Sequence, residues 1–469
     1  MREQEDHTRR EEEREDGCGP LALVPAPHWH YHHPRMKLVP SNVGLLKASR
    51  FASAAMSREG SAERLGALRA AVADPLSRLV RPGSLDWNGE AWQRELLARG
   101  YAELVPGPVD AREIALRARR NPLEFLRKCV VEFTTRCNFA CPHCYNSGVA
   151  RRTETDLGSL AAATDALGDM GIGEFAFVGG EVTRYGDGWL GLAARIAGRG
   201  ATVVSVLSNG WFLGLRDFEA AGIRYPDQDA YFADLRDHGV THLGFSIDGI
   251  GEAHDRSRGR EGLYDRILEG IEGAKRAGLE PRVSILARGD SSLEELVREF
   301  GPRIYGDRPG SLLLDRTNLI NDYLDLRPMD PAAGQDGCSM AGATPALLRC
   351  AGFYRPSPQI TIKANGEVAT CRIASAGEGY GNIHDRPIID ILNRMQESFV
   401  FRLHAERRAG EYLPYVDPEV FPGSYSHPCA LRAILTMVAR RVEEGGIGPG
   451  DKAGIRRINE EVARELGTG

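Results

Sequence analysis

Three cysteines, Cys137, Cys141 and Cys144, fall within the eight-residue stretch CNFACPHC. Thiols set that close can bind a metal centre, pair as disulfides or carry out redox chemistry. The N-terminus, MREQEDHTRREEERED, is densely charged and lacks the apolar core of a secretory signal. A cytoplasmic location is therefore expected, where paired disulfides account poorly for nine cysteines, and metal binding or catalysis is the better reading. Cys18 and Cys129 stand apart, while Cys338, Cys350, Cys371 and Cys429 are spread over the last third, enough for a second centre. A structural zinc site needs four protein ligands. Three thiolates suit a 4Fe–4S cube whose remaining iron stays open to a small molecule. Soft thiolates favour iron–sulfur and zinc alike, so the spacing has to decide.

The elements that must position these thiols can be read from the pattern of apolar residues. The chain has 469 residues, enough for two or three domains, and 42% of them are hydrophobic. A net charge of −6 leaves no basic field, so nucleic acid is not an expected partner. No apolar run is long enough to cross a bilayer, so no membrane is expected either. Residues 1–60 read as a poorly ordered arm with a charge run and the Pro/His stretch PAPHWHYHHPR, taken as a solvated tail. Residues 61–126 read as a small, mainly helical accessory domain, with GEAWQRELLARGYAEL as a helix leading into a short strand. From 127 to 325 short apolar runs alternate with helical ones. The runs Cys129–Thr135, Glu174–Val178, Thr202–Ser208, His242–Ile247, Pro281–Ala287 and Ser311–Asp315 predict strands covered on both faces. Between them, Leu160, Ala163, Leu167 and Met170 form one helical stripe, and EGLYDRILEGIEGAKRAG is a second helix. Six β-then-α units imply a parallel sheet, open or curled into a barrel, with functional groups at the C-terminal strand ends. Residues 335–469 change character. SPQITIKANGEVATCRI predicts a hairpin turning at Asn365–Gly366, and ALRAILTMVARRVEEG predicts a helix.

The cysteine triad follows the first strand directly, so it sits at the C-terminal rim of the sheet. CNFACPHC resembles the C-x-x-x-C-x-aromatic-C motif of the radical S-adenosylmethionine (SAM) enzymes, with His143 in the aromatic slot. The resemblance implies a partial (β/α)6 TIM-like barrel. It further implies a 4Fe–4S cluster on Cys137, Cys141 and Cys144 that chelates SAM and cleaves it reductively to a 5′-deoxyadenosyl radical. FVGGE ends the second strand and is similar to that family's GGE motif. By resemblance, Gly179, Gly180 and Glu181 bind the SAM amino group, a chemistry that suits close backbone approach and a carboxylate facing an ammonium. LSNG and FSIDG end the next two strands. There the resemblance gives Ser208, Asn209, Ser246 and Asp248 the SAM ribose or carboxylate, and HDRSRG offers Arg258, then Arg260, to the carboxylate. His143 and Tyr145 flank the last thiol and are expected to shield the cluster and approach the adenine. Singly, each of these polar residues also reads as a loop cap.

Cys350 and Cys371 are separated by fifteen residues, Gly366 and four more, a layout that resembles the SPASM or Twitch extensions. The resemblance implies one auxiliary iron–sulfur cluster, with Cys350, Cys371 and Cys429 as ligands and Cys338 as a further ligand or a hydrogen-atom donor. The function expected is abstraction of a C–H hydrogen from a peptide or small natural-product intermediate. Net oxidation, by dehydrogenation or crosslinking, is the favoured outcome, with flavodoxin or ferredoxin as electron donor. Two alternatives stay open: a redox-neutral epimerase with a cysteine hydrogen donor, and a non-catalytic zinc-binding protein.

Overall fold

The computed structural model describes residues 36–41, 43–44, 84–106, 108–110, 126–141, 144, 155–285, 293–305, 338–339, 359–369, 379–399, 409–421, 424–425 and 428–466, with isolated positions between them. Near the N-terminus, β1 (Met36–Pro40) is the middle strand of a small antiparallel sheet between β2 (Leu85–Asp86) and β3 (Ala102–Pro106). The helix Ala91–Ala98 precedes β3. The unordered arm expected to reach residue 60 is therefore interrupted, because Leu38 and Val39 are buried against that sheet. Among the described residues of the extension expected to be mainly helical are two short strands, the helix Ala91–Ala98 and single helical positions at Leu79 and Arg112. The helix-then-strand reading of GEAWQRELLARGYAEL matches Ala91–Ala98 and β3.

Five parallel strands carry the centre: β4 (Lys128–Thr134), β5 (Glu174–Gly179), β6 (Val203–Ser208), β9 (His242–Ile247) and β10 (Glu280–Ile285). Each lies within a residue or two of an apolar run picked out above. The sixth run, Ser311–Asp315, lies outside the described residues. Between β6 and β9 a short antiparallel pair, β7 (Phe218–Ala220) and β8 (Ile223–Tyr225), is inserted. Alternation divides the parallel strands by face. Cys129, Val131, Phe133, Phe175, Phe177, Val204, Val206, Leu243, Phe245 and Ile247 join the main core against the helices. Val130, Ala176 and Val178 form a separate patch with Leu207 on the opposite face. Helix Leu157–Asp169 starts on the Asp156 carboxylate, which accepts from Ser159 N at 2.7 Å, and buries Leu160, Ala163 and Leu167. Helix Leu263–Arg276 buries Ile267, Ile271 and Ala274.

The predicted hairpin forms as β12 (Gln359–Ile362) and β13 (Glu367–Ala369), with Gly366 at φ 82° in the turn. It is not set apart from the parallel sheet. β12 pairs in parallel with β4, Ile360 beside Cys129 and Ile362 beside Val131, and β14 (Gly381–Asn382) extends the far side. The sheet thus runs β10-β9-β6-β5-β4-β12-β13-β14. Ile360, Ile362, Val368 and Ile391 share the main core with the parallel strands. The small C-terminal domain expected over 335–469 is split: its later residues, including Leu431, Ile434, Leu435 and Val438, form a core of their own with Ile458 and Val462. There helices Pro428–Gly445 and Lys452–Leu466 pack together, and β11 (Cys338–Ser339) pairs with β15 (Ser424–Tyr425). Among the described residues no helix is long and apolar enough to cross a membrane.

Candidate iron–sulfur and cofactor site

Strand β4 ends at Thr134, and the chain then turns along the rim carrying Cys137, Cys141 and Cys144. The next strand end clamps this segment: Gly180 N donates to Thr134 O and Glu181 N to Arg136 O, each at 2.7 Å. A Cβ on Gly180 would stand 2.0 Å from Arg136 O, and one on Gly179 (φ +142°) 2.2 Å from Thr134 O. The glycines are required because two stretches of this chain's own backbone touch there.

All three thiols are free. Cys137 Sγ faces two donors, Phe139 N at 3.4 Å and Asn209 Nδ2 at 3.8 Å. Cys141 Sγ faces Arg258 Nη1 at 3.8 Å. Burial, with the Glu181 carboxylate behind it, pushes the Cys137 thiol up to about 12. Burial also raises Cys141, against the pull of Arg258. A metal centre would have to displace these protons, and the donors aimed at the sulfurs suit the thiolates that remain. Among the described residues no three His, Cys, Asp or Glu side chains converge as ligands of a single ion do. The thiolates of a cube bind three different irons and need not converge, so this donor set fits such a cluster.

Behind the cysteines a buried polar chain ties three strand ends together. The Glu181 carboxylate accepts from Ser208 Oγ at 2.8 Å, from Asn209 N at 2.7 Å and from Thr183 Oγ1. Burial pushes its pKa up, and these hydrogen bonds pull it back only in part. Asn209 Nδ2 reaches Asn138 Oδ1 at 3.0 Å, and Trp211 Nε1 donates to Thr183 Oγ1 at 2.9 Å. Glu181 and Asn209, expected to face SAM, are thus engaged with the protein and with the cysteine segment. Asp248 and Arg258 face each other. Arg258 Nη2 donates to Asp248 Oδ1 at 2.6 Å, and Nε lies 2.5 Å from Oδ2. Ser257 Oγ adds a bond to Oδ2 at 3.0 Å, and Asp248 N donates to His254 Nδ1 at 3.1 Å. Arg260 lies over the Phe139 ring at 4.9 Å, with Nη2 3.4 Å from Asn138 O. Ser246 is half-buried in β9, in register with Ser284 of β10.

Thr183, Asn138, Trp211, His254 and Ser257 belong to this site and were missed. Asn138 lies inside CNFACPHC and His254 and Ser257 inside HDRSRG, while Thr183 and Trp211 are marked only by following Glu181 and Asn209 by two residues. His143, Tyr145, Cys350 and Cys371 lie outside the described residues. So do the side chains of Cys338 and Cys429, although their backbones belong to β11 and to the helix Pro428–Gly445.

Residues 131–290 match the radical SAM superfamily model. The Fe-coproporphyrin III synthase of Methanosarcina barkeri is 30% identical over 193 residues, 39% of this chain and 44% of that one. The pre-heme d1 synthase of Dinoroseobacter shibae is 30% identical over 171 residues, 35% and 38% of the two chains. The GTP 3′,8-cyclase of Paracoccus denitrificans is 27% identical over 186 residues, 38% and 48%. The matched region spans less than half the length of each of these relatives. Among solved structures, Streptococcus suis SuiB bound to S-adenosylmethionine covers 71% of this chain and 80% of its own, at 15% identity and a TM-score of 0.43. The anSMEcpe structure with bound AdoMet covers 69% and 98%, at 14% identity and a TM-score of 0.36.

Proposed function

From the radical SAM superfamily domain that residues 131–290 form, we propose an enzyme that removes a hydrogen atom from a substrate C–H bond and oxidises that substrate by two electrons. Cys137, Cys141 and Cys144 hold the 4Fe–4S cluster. When bound, cluster and SAM supply a 5′-deoxyadenosyl radical. The observation that carries this reading is the rim after β4, where Asn209 Nδ2 faces the Cys137 thiol and Arg258 Nη1 faces the Cys141 thiol. Gly179, Gly180 and Ser246 line the same rim and contact SAM. Glu181, Ser208 and Asn209 support that contact from behind, holding the cysteine segment to the ends of β5 and β6. His143 and Tyr145 shield the cluster.

Cys350, Cys371 and Cys429 hold an auxiliary iron–sulfur cluster that accepts the second electron, with Cys338 as a further ligand or hydrogen-atom donor. A low-potential carrier such as flavodoxin or ferredoxin reduces the first cluster. The substrate is a peptide or a small natural-product intermediate. The names of the matched relatives refer to haem precursors and to GTP, so they favour neither class.

Anaerobic reconstitution with iron and sulfide, followed by dithionite and SAM, tests the proposal. Brown protein, an EPR signal of a reduced cube and release of 5′-deoxyadenosine are expected, with a product two hydrogens lighter. Deuterium uptake from heavy water without a change of formula would establish an epimerase instead. Colourless protein carrying zinc and forming no 5′-deoxyadenosine would reject the enzyme altogether.

A further inference from the structure

The arginine expected to meet the SAM carboxylate already has a partner. Two of the three guanidinium nitrogens of Arg258 face the two oxygens of Asp248, and the third, Nη1, points at Cys141 Sγ, 3.8 Å away. The side chain of Arg258 is 12% exposed and that of Asp248 is fully buried. Ser257 Oγ fixes the carboxylate from a second direction. The pair therefore acts as an oriented dipole, its positive end against one cysteine and its negative end further back. Solvent screens such a pair weakly. Among the described residues Cys137 is touched by no such cation. It lies against the amide donors of Phe139 and Asn209, and the charge that acts most on it is the Glu181 carboxylate.

We propose that the Arg258–Asp248 pair sets the reduction potential of the cluster through Cys141, as a positioning device that does not itself touch substrate. The inference rests on the cluster assignment above. Reduction transfers one electron from an external one-electron reductant to the cluster and adds one negative charge with no change of ligands. Hydrogen bonds to a ligating sulfur and positive charge beside it stabilise the more negative state. Arg258 thus raises the potential, while Asp248 moderates that effect and aims the guanidinium.

The test is an EPR-monitored redox titration of the full-length, anaerobically reconstituted protein, with iron and sulfide counted per chain. Wild type is compared with Arg258→Gln, Asp248→Asn and the double variant. Arg258→Gln removes the positive charge, keeps the Asp248 carboxylate near the cluster and is expected to lower the midpoint. Asp248→Asn leaves a bare guanidinium and is expected to raise it. The double variant should fall between the two. Single variants that load fully and keep the wild-type midpoint, or that shift in the same direction, overturn the proposal. If Arg258→Gln fails to fold, the near-isosteric Asp248→Asn and the charge-free double variant decide, and an unchanged or lowered midpoint in Asp248→Asn overturns it. A wild type that takes up no cluster refutes the cluster assignment instead, and is distinguished by its lack of any EPR signal.

Discussion

At the residue scale, not every cysteine has the same standing. Cys129 is fully buried on the helix-facing side of β4, where burial raises its thiol pKa and its sulfur packs in the core with Val130 O 3.8 Å away. Cys137, Cys141 and Cys144 lie beyond the strand end. Alanine at any of the three is expected to abolish the visible spectrum and SAM cleavage, whereas Cys129→Ala keeps wild-type iron and loses only about 1 kcal/mol of packing, checked by metal analysis and thermal melting. Glu181 makes a second prediction. Truncation to alanine leaves three buried donors without an acceptor, at a cost of about 3–5 kcal/mol, and iron content should fall because Asn209 loses its anchor beside Cys137. The pH dependence has a definite sign. The pKa of Glu181 is raised above its ordinary 4.5 by burial, so the folded state holds a proton that the unfolded state has released. Its contribution to stability is complete below 4.5 and is lost as pH rises through the folded value. Denaturant titrations at increasing pH should show that decline in wild type and lack it in Glu181→Gln.

At the element scale, the glycines after β5 link sequence to site. A Cβ on Gly180 would strike the Arg136 carbonyl, so Gly180→Ala has to push the cysteine segment off its two backbone bonds. Iron loading is expected to drop several-fold while far-UV circular dichroism stays close to wild type, because the parallel strands do not depend on that turn. Both measured on one preparation check it. What could be read in advance follows the same division. Strands buried on both faces announce themselves as apolar runs, and Asn365–Gly366 announces its turn, so these elements were legible. Met36–Pro40 was not, because a five-residue strand beside a charged, proline-rich arm has too few apolar positions to show a period, and long-range pairing with β3 forms it. The pairing of β12 with β4 was hidden for a related reason: a strand's own pattern says that it is buried but not beside which strand. At the site, motif spacing picked out Cys137, Cys141, Glu181, Ser208, Asn209, Asp248 and Arg258, which the strand ends bring together, but not Thr183 or Trp211 beside them. It could not show that Glu181 and Arg258 point at protein partners, because orientation depends on the packing of separate strand ends.

At the scale of the whole molecule, one short helix joins pieces that the sequence suggested were separate. Helix Ile388–Asn393 follows β14, packs against helix Leu157–Asp169 and buries Ile388, Ile391 and Leu392 in the common core. Its last residue, Asn393, accepts from Val43 N at 3.0 Å and donates to Gly100 O at 2.8 Å, both in the N-terminal unit. Ile389 closes the same contact: a Cβ on Gly100 would lie 2.4 Å from Ile389 Cγ2. The N-terminal sheet is thus held to the flank of the main core by a segment from the far end of the chain, through a side-chain amide that serves donor and acceptor at once. Asn393→Ala removes both bonds and leaves Val43 N to find another partner, while Gly100 O keeps its bond from Ser41 Oγ at 2.7 Å, a cost of about 1–2 kcal/mol. Because Asn393 contributes nothing to the β4–β5–β6 ladder, the loss is expected to stay local. Hydrogen exchange should quicken at the amides of β1 and β3 by about tenfold or more and remain at wild-type rates in β4, β5 and β6. Acceleration spread evenly over both sheets would show instead that the two units unfold as one, and that this helix fastens parts that never open separately.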